Sequence, residues 1–325
     1  MLGAFDPVTG GDQRWQVSMS WRYQQSDRHF RGTHQERERQ AEGSEVINDV
    51  YLFDLGIRYN LGPKSSISVG IPYLIADRSS PIRDSSRQVV ARSVQEVDGI
   101  GDITVVGHRL LWDPARQPRG NASFSLGVKA PTGDDGATDG RTRLVDGEYV
   151  TTVETVDQSV QAGDGGWGVV VAASGYRLLN GAGTVAAYGS GTYLINPEGT
   201  NGVETFRGRD SEAILSIADQ YLARLGVQVT PASWRGFGFG LGGRIEGVPV
   251  HDLFGSSEGF RRPGYAVSLE PSVSWARGPH TLSLAVPVAV QRNRQRSVPD
   301  MQEAGRHGDA AFADWVLLAG YWYRF

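Results

Sequence analysis

Apolar and polar residues take turns along most of the chain with a period of two, the pattern of a β-strand that turns one face to an apolar environment. Trp15, Val17, Met19, Trp21 and Tyr23 alternate with Gln16, Ser18, Ser20 and Arg22. Tyr51, Phe53, Leu55, Ile57 and Tyr59 alternate with Leu52, Asp54, Gly56 and Arg58, and Ile67 to Ile75 follow the same rule. Ala122, Phe124, Leu126, Val128 and Ala130 oppose Asn121, Ser123, Ser125, Gly127 and Lys129. The pattern returns at 221–229, 237–246, 265–275 and 282–290, and closes the chain with Trp315, Leu317, Ala319, Tyr321, Tyr323 and Phe325. The stretch 102–112 is apolar without a clear phase, and 167–178 and 184–195 are weaker and rich in Ala and Gly. Together these segments predict twelve strands.

The connections between them alternate in length. Short ones at 60–64, 113–119, 179–183, 230–236 and 276–279 are rich in the turn formers Gly, Pro, Asn and Asp. Long ones span 25–45, 77–99, 131–165, 197–214, 250–263 and 292–312. Five short turns and six long loops suit twelve antiparallel strands with both termini on one side. That predicts an all-β fold, a twelve-stranded antiparallel transmembrane β-barrel with short periplasmic turns and long extracellular loops. A soluble β-sandwich would bury similar aromatics but has no need of regular loop alternation. In this topology the aromatics fall into two girdles. Tyr51, Tyr73, Tyr265 and Trp315 mark the outer one, and Trp15, Tyr59, Trp275, Tyr323 and Phe325 the periplasmic one. A single barrel domain over residues 13–325 is expected, with 1–12 as a periplasmic N-terminal segment.

Composition fits this reading. Cysteine is absent from the 325 residues, which excludes a disulfide scaffold, Cys-ligated zinc and a Cys nucleophile. A net charge of −4 gives no electrostatic case for nucleic acid. No run of eighteen apolar residues occurs, so membrane-crossing helices are not expected. The first residues lack a basic and then apolar leader, so an exported protein would be present here in its mature form. The expected partners are outer-membrane lipid and lipopolysaccharide, the barrel-assembly machinery during biogenesis and a small-molecule solute; no cofactor is expected.

Two stretches resemble known proteins. The closing Ala313–Phe325 is similar to the last strand of bacterial outer-membrane barrels, whose terminal aromatic the assembly machinery reads. Gly101–Asp113 (GDITVVGHRLLWD) and Ala122–Asp134 (ASFSLGVKAPTGD) resemble a large bacterial family of outer-membrane transporters associated with the phenol meta-degradation pathway. The resemblance covers about thirty residues well. It implies a barrel in the outer membrane and, more loosely, aromatic cargo.

The candidate chemistry lies on the inward-facing positions. Arg22, Asp54, Arg58, Lys129, Arg224, Arg244, Glu246 and Glu270 are expected to face the lumen, with Asp314 and Arg324 at its two mouths. Charges there need water or partners. They would either line a pore whose transverse field selects solutes or pair into a sealed interior. The Gly238-Gly240-Gly242 stripe clears side chains from one wall patch, for an occupant or for curvature. Loop 131–165 carries Asp134, Asp135 and Asp139 without EF-hand spacing, so it would gate the mouth or bind calcium. No GxSxG accompanies the six histidines, and His108 with Asp102 is the one pair with enzymatic potential. The leading expectation is a non-enzymatic channel for small, hydrophobic or aromatic solutes. A structural barrel that is plugged or sheaths a protein partner, and a lipid-active enzyme, are the alternatives.

Overall fold

The structure, a computed structural model, describes residues 13–325; the expected N-terminal segment 1–12 lies outside the described residues. Twelve antiparallel strands form one closed wall. They are β1 (Trp15–Arg31), β2 (Ile47–Gly62), β3 (Ser65–Arg83), β4 in two pieces (Val89–Ile100 and Thr104–Leu110), β5 (Gly120–Lys129) and β6 (Gly168–Leu178). Next come β7 (Val185–Ile195), β8 (Gln220–Val229), β9 (Phe237–Val248), β10 (Gly264–Arg277), β11 in two pieces (His280–Ala285 and Val288–Arg294) and β12 (Ala310–Arg324).

Period-two alternation becomes the wall because every second side chain leaves the cylinder. Phe124, Leu126 and Val128 on β5, Leu225, Val227 and Val229 on β8, and Leu282 and Leu284 on β11 stand exposed outward. Their inward neighbours Ser123, Ser125 and Lys129 are buried. An apolar exterior with a polar interior inverts the soluble pattern and matches a bilayer-facing surface. Ring pairs strengthen the wall near its rims, such as Trp15 with Tyr59 at 4.7 Å and Tyr23 with Tyr51 at 4.8 Å between centroids.

Closure joins β12 to β1, with Gln16 opposite Arg324, Trp21 opposite Ala319 and Tyr23 opposite Leu317. Trp15 and Phe325 exchange backbone hydrogen bonds of 3.0 Å in both directions. The seam is therefore paired from its periplasmic end, as a sheet must be to stand in lipid without a free edge.

Two expectations need correction above the outer girdle. Residues 77–99 are not a loop: β3 runs on to Arg83, and β4 returns from Val89 across a tight turn. The Asp84 carboxylate accepts the Ser86 and Gln88 amides at 2.9 Å each, which shapes that turn. Beyond the bilayer neither face must be apolar, so Arg78, Ser79, Ser80 and Arg92 break the alternation without breaking the ladder. β1 likewise extends to Arg31 into the expected 25–45 loop, placing His29 on a strand. Within 131–165, residues Thr138–Val145 and Glu148–Thr155 form a separate hairpin. It stands beside the upper half of β4, where the Ser93 hydroxyl accepts the Thr142 amide at 2.9 Å and Asp139 accepts the Glu96 amide at 2.8 Å.

Leu225 is 71% exposed in the middle of β8, whereas Val153 is 76% exposed on the mouth hairpin. Leu225→Arg is expected to cost about 2–4 kcal/mol of folding stability in lipid. Val153→Arg, beyond the bilayer, should cost almost nothing. Denaturant unfolding in liposomes measures both, and equal effects would contradict the assigned lipid face.

Candidate functional site

The interior is built from a joint at the top of β5. β4 is interrupted at 101–103, and the chain leaving β5 meets this gap. Ala130 N–H donates to Ile103 O at 2.9 Å, Ile103 N–H donates to the Thr132 hydroxyl at 2.9 Å, and that hydroxyl donates to Gly101 O at 2.9 Å. The Asp102 carboxylate accepts the amides of Gly133 at 3.0 Å and Asp164 at 3.2 Å. Lys129 closes the knot against Asp164 and Asp102. A Cβ on Gly133 would stand 2.7 Å from the Gly163 Cα, so only glycine lets the two ends of the loop touch there. The GD and KAPTGD motifs therefore fold as a clasp that gathers both ends of loop 131–165 at the wall.

The returning half of this loop enters the lumen. Val156 and Val160 pack against Val50, Leu52, Leu74, Ala76 and Val97, inward residues of β2, β3 and β4. Asp157, 1% exposed, sits between two guanidiniums: Arg262 binds it through two 2.6 Å contacts, and Arg78 lies 3.3 Å away. Burial pushes the Asp157 carboxyl up, but Arg262, Arg78 and the Ser159 amide outweigh burial and hold it well below the usual carboxylate range. Asp139 bonds the wall and Asp134 its own loop backbone, and among the described residues no group of acidic or histidine side chains could hold a metal ion.

Across the remaining lumen runs a ladder of ion pairs. Arg22 on β1 meets Glu246 on β9 through two 3.0 Å contacts. Arg244 lies 2.7 Å from Glu246 and 3.4 Å from Glu270, and Arg224 also binds Glu270. The stripe at Gly238, Gly240 and Gly242 makes room for lumen side chains. Added Cβ atoms at the first two would collide with Gln228 Nε2 and Ser272 Oγ, and one at the third would stand 2.7 Å from the Tyr188 hydroxyl.

Above the ladder lies a cavity of about 420 Å³. Arg22 and Glu246 line it at the ladder, Gln158, Gln161 and Asp164 of the inserted loop line one side, and Ala266, Pro287, Ala289, Phe312 and Val316 the other. Two more cavities, of about 350 and 430 Å³, lie among the outer loops. Arg262 lines all three, so they adjoin in series. Pro287 interrupts β11 beside the inner cavity, because a proline has no amide to give the ladder.

Of the eight inward charges read from the sequence, five (Arg22, Arg224, Arg244, Glu246 and Glu270) meet in the ladder. Lys129 is in the clasp, Arg58 lies 3.5 Å from His108 lower down, and Asp54 faces Gly70. His108 and Asp102 are not brought together: His108 bonds Ser68 and Ser125 at 2.8 Å each, inside the lumen. The sequence reading missed Asp157, Arg78, Arg207 and Arg262. One signal for an inserted loop was present: Val50, Leu52, Leu74 and Ala76 make the upper halves of β2 and β3 apolar on both faces, and an inward apolar patch needs an internal cover.

This wall, with its apolar outside and charged inside, defines a twelve-stranded outer-membrane β-barrel. It is similar to the crystal structure of an outer membrane channel from Pseudomonas putida, at 12% identity with a TM-score of 0.62, covering 99% of this chain and 100% of that one. The β domain of the Bordetella autotransporter BrkA (14% identity, 97% of this chain and 100% of that one) and the toluene transporter TodX of Pseudomonas putida (9%, 97% and 91%) follow, each with a TM-score of 0.48, too low to carry weight. No protein-family model and no curated protein matches the sequence.

Because its folded value is depressed, Asp157 stabilises the inserted loop at every pH above the ordinary carboxylate value of about 3.9, and loses that contribution as pH falls below it. Amide exchange at 156–163, corrected for intrinsic rates, should stay slow from about pH 7 to 5 and quicken near pH 3. Asp157→Asn should exchange fast throughout. A loop indifferent to both changes would contradict the pin.

Proposed function

We propose that this protein is a passive outer-membrane channel for small solutes with an apolar or aromatic body. The observation that carries the reading is the series of cavities descending from the outer loops, past Arg262, to the Arg22–Glu246 pair. A sealed scaffold would be expected to fill such space with side chains. The inner cavity is sided by alanines, Pro287, Phe312 and Val316 opposite glutamines and charges. That lining suits a compact amphipathic molecule better than a hydrated ion. The similar Pseudomonas putida structure is itself described as an outer membrane channel, which supports the same reading.

The ladder is the selectivity element in this proposal. Its cations outnumber its carboxylates, three arginines to two glutamates, so passing solutes meet a fixed positive excess. Lys129, Arg58 and Asp54 flank the path rather than cross it. A plugged barrel is the second reading, favoured by the inserted loop 156–163 and by the mutual pairing of the ladder charges. Among the described residues a lipid-active enzyme finds no support in the one pair with enzymatic potential, since His108 faces the lumen and is not joined to Asp102.

Planar-bilayer recording separates the readings. The wild-type barrel is expected to open to small discrete currents. Glu246→Gln, which leaves Arg22 and Arg244 underneutralised, should move the reversal potential in a salt gradient toward anion selectivity. A purified, folded barrel that never conducts or passes solute would overturn the channel. Unchanged selectivity in Glu246→Gln would remove the ladder from the path.

A further inference from the structure

Among the described residues, the outer cavity of about 350 Å³ is walled by six arginines, Arg39, Arg78, Arg83, Arg141, Arg207 and Arg262, with Asp309 as the one lining acid. Most of these cations are shared or occupied. Arg78 and Arg262 divide one carboxylate, Asp157. Arg141 shares Glu154 with Arg143, and Arg39 reaches Glu36 and Asp309. Asp309 is already held by His29 at 2.6 Å.

Arg207 is different. Among the described residues its guanidinium has no ion pair and no hydrogen bond, and its Nε is buried without a partner. It is held by rings: its Cζ lies 5.2 Å from the Phe206 centroid and 4.3 Å from that of Phe260. Arg141 stands over Phe206 at 4.8 Å and Arg262 over Phe260 at 4.6 Å. The result is a cluster of three guanidiniums around two phenyl rings set edge to face, drawn from the mouth hairpin and two other loops. Ring faces attract cations but cannot replace the hydrogen bond that the buried Nε of half-buried Arg207 forgoes. Burial, and then the neighbouring Arg262, weaken the hold of Arg207 on its proton, and Asp157, Glu212 and Asp309, none of them in contact with it, offset this only in part.

We propose that this cavity binds a small organic carboxylate, whose two oxygens complete Arg207 and whose apolar body packs against Phe206. A carboxylate fork matches the planar guanidinium in a bidentate pair. The volume is several times that of an inorganic ion, and the Phe206 ring in the wall, with Val46, Pro81, Ala310 and Ala311, favours an apolar body. Lipid headgroups are excluded by position, because Asn48, Arg78 and Ser80, which line the cavity, are buried inward-facing residues of β2 and β3. The role of this site as the first stop for cargo rests on the channel reading; the binding itself does not.

Isothermal titration of the detergent-purified full chain at constant chloride, with sodium benzoate, benzyl alcohol and inorganic phosphate, tests the site. Benzoate is expected to saturate a single site, with benzyl alcohol and phosphate weaker by about tenfold or more. Arg207→Gln should weaken benzoate by about tenfold or more, while Arg116→Gln on a periplasmic turn, with the same charge change, should leave it unaltered. Arg207→Lys, which keeps the charge and loses the fork, should also weaken it, and serves if the Gln variant does not fold. Benzyl alcohol binding as tightly as benzoate, phosphate binding as tightly, or full benzoate affinity in both Arg207 variants would each overturn the proposal. Benzoate flux into proteoliposomes is read separately. Binding without flux keeps the site and sinks the channel, and flux without binding does the reverse.

Discussion

A carboxylate buried between two guanidiniums, Asp157 with Arg262 and Arg78, holds the interior of this barrel in its arrangement. The three residues come from the inserted loop, the β9–β10 connection and the extended β3. Breaking a buried pair from one side strands a charge at a cost of about 3–5 kcal/mol. That cost fixes the loop against one side of the lumen, above the apolar patch that Val156 and Val160 cover. The other side, along β10 to β12, stays open as the inner cavity. Without the pin, the loop would be an ordinary extracellular segment, and the lumen would lack both its cover and its shape.

The same logic explains why so charged an interior is compatible with a membrane. Arg22, Arg224, Arg244, Glu246 and Glu270 sit within a wall whose outside is lipid, and each finds an opposite charge at contact distance. Paired charges cross the lumen in the ladder, whereas six arginines with one carboxylate among the described lining residues gather in the outer cavity. On the channel reading proposed above, an electropositive mouth would draw anions toward a ladder that carries a single excess positive charge.

The lipid-facing half of the structure was legible because the bilayer imposes period two. Phe124, Leu225 and Tyr321 stand outward as their phase requires, and residues 15–23 pair with the last strand. Where lipid ends, the rule ends. Residues 77–99 read as a loop because charged and polar residues such as Arg78, Ser79, Ser80 and Arg92 interrupt the alternation, although their backbone continues the ladder. Inward charges were legible as a set but not as pairs: that Arg22 meets Glu246 depends on the stagger of strands four places apart around the wall. Lys129 shares the phase of the lumen residues, yet tertiary contact with Asp102 and Asp164 draws it into the clasp. Arg207 and Phe206 lie in a segment without periodicity, and only the folding of three loops onto one another gives them meaning.

The placement of loop 131–165 inside the barrel sets the shape of the lumen, and the chain's lack of cysteine makes that placement open to a clean crosslink. A Cβ on Gly99, on the inner face of β4, would stand 3.9 Å from the Cβ of Ala162 in the loop. That separation is within the range of ordinary disulfides, about 3.8 Å. The double variant Gly99→Cys with Ala162→Cys, folded in liposomes, is expected to oxidise fully and rapidly, while either single variant stays monomeric. Two thiols that remain free and reactive in a folded, heat-modifiable barrel would show that the loop does not occupy the lumen.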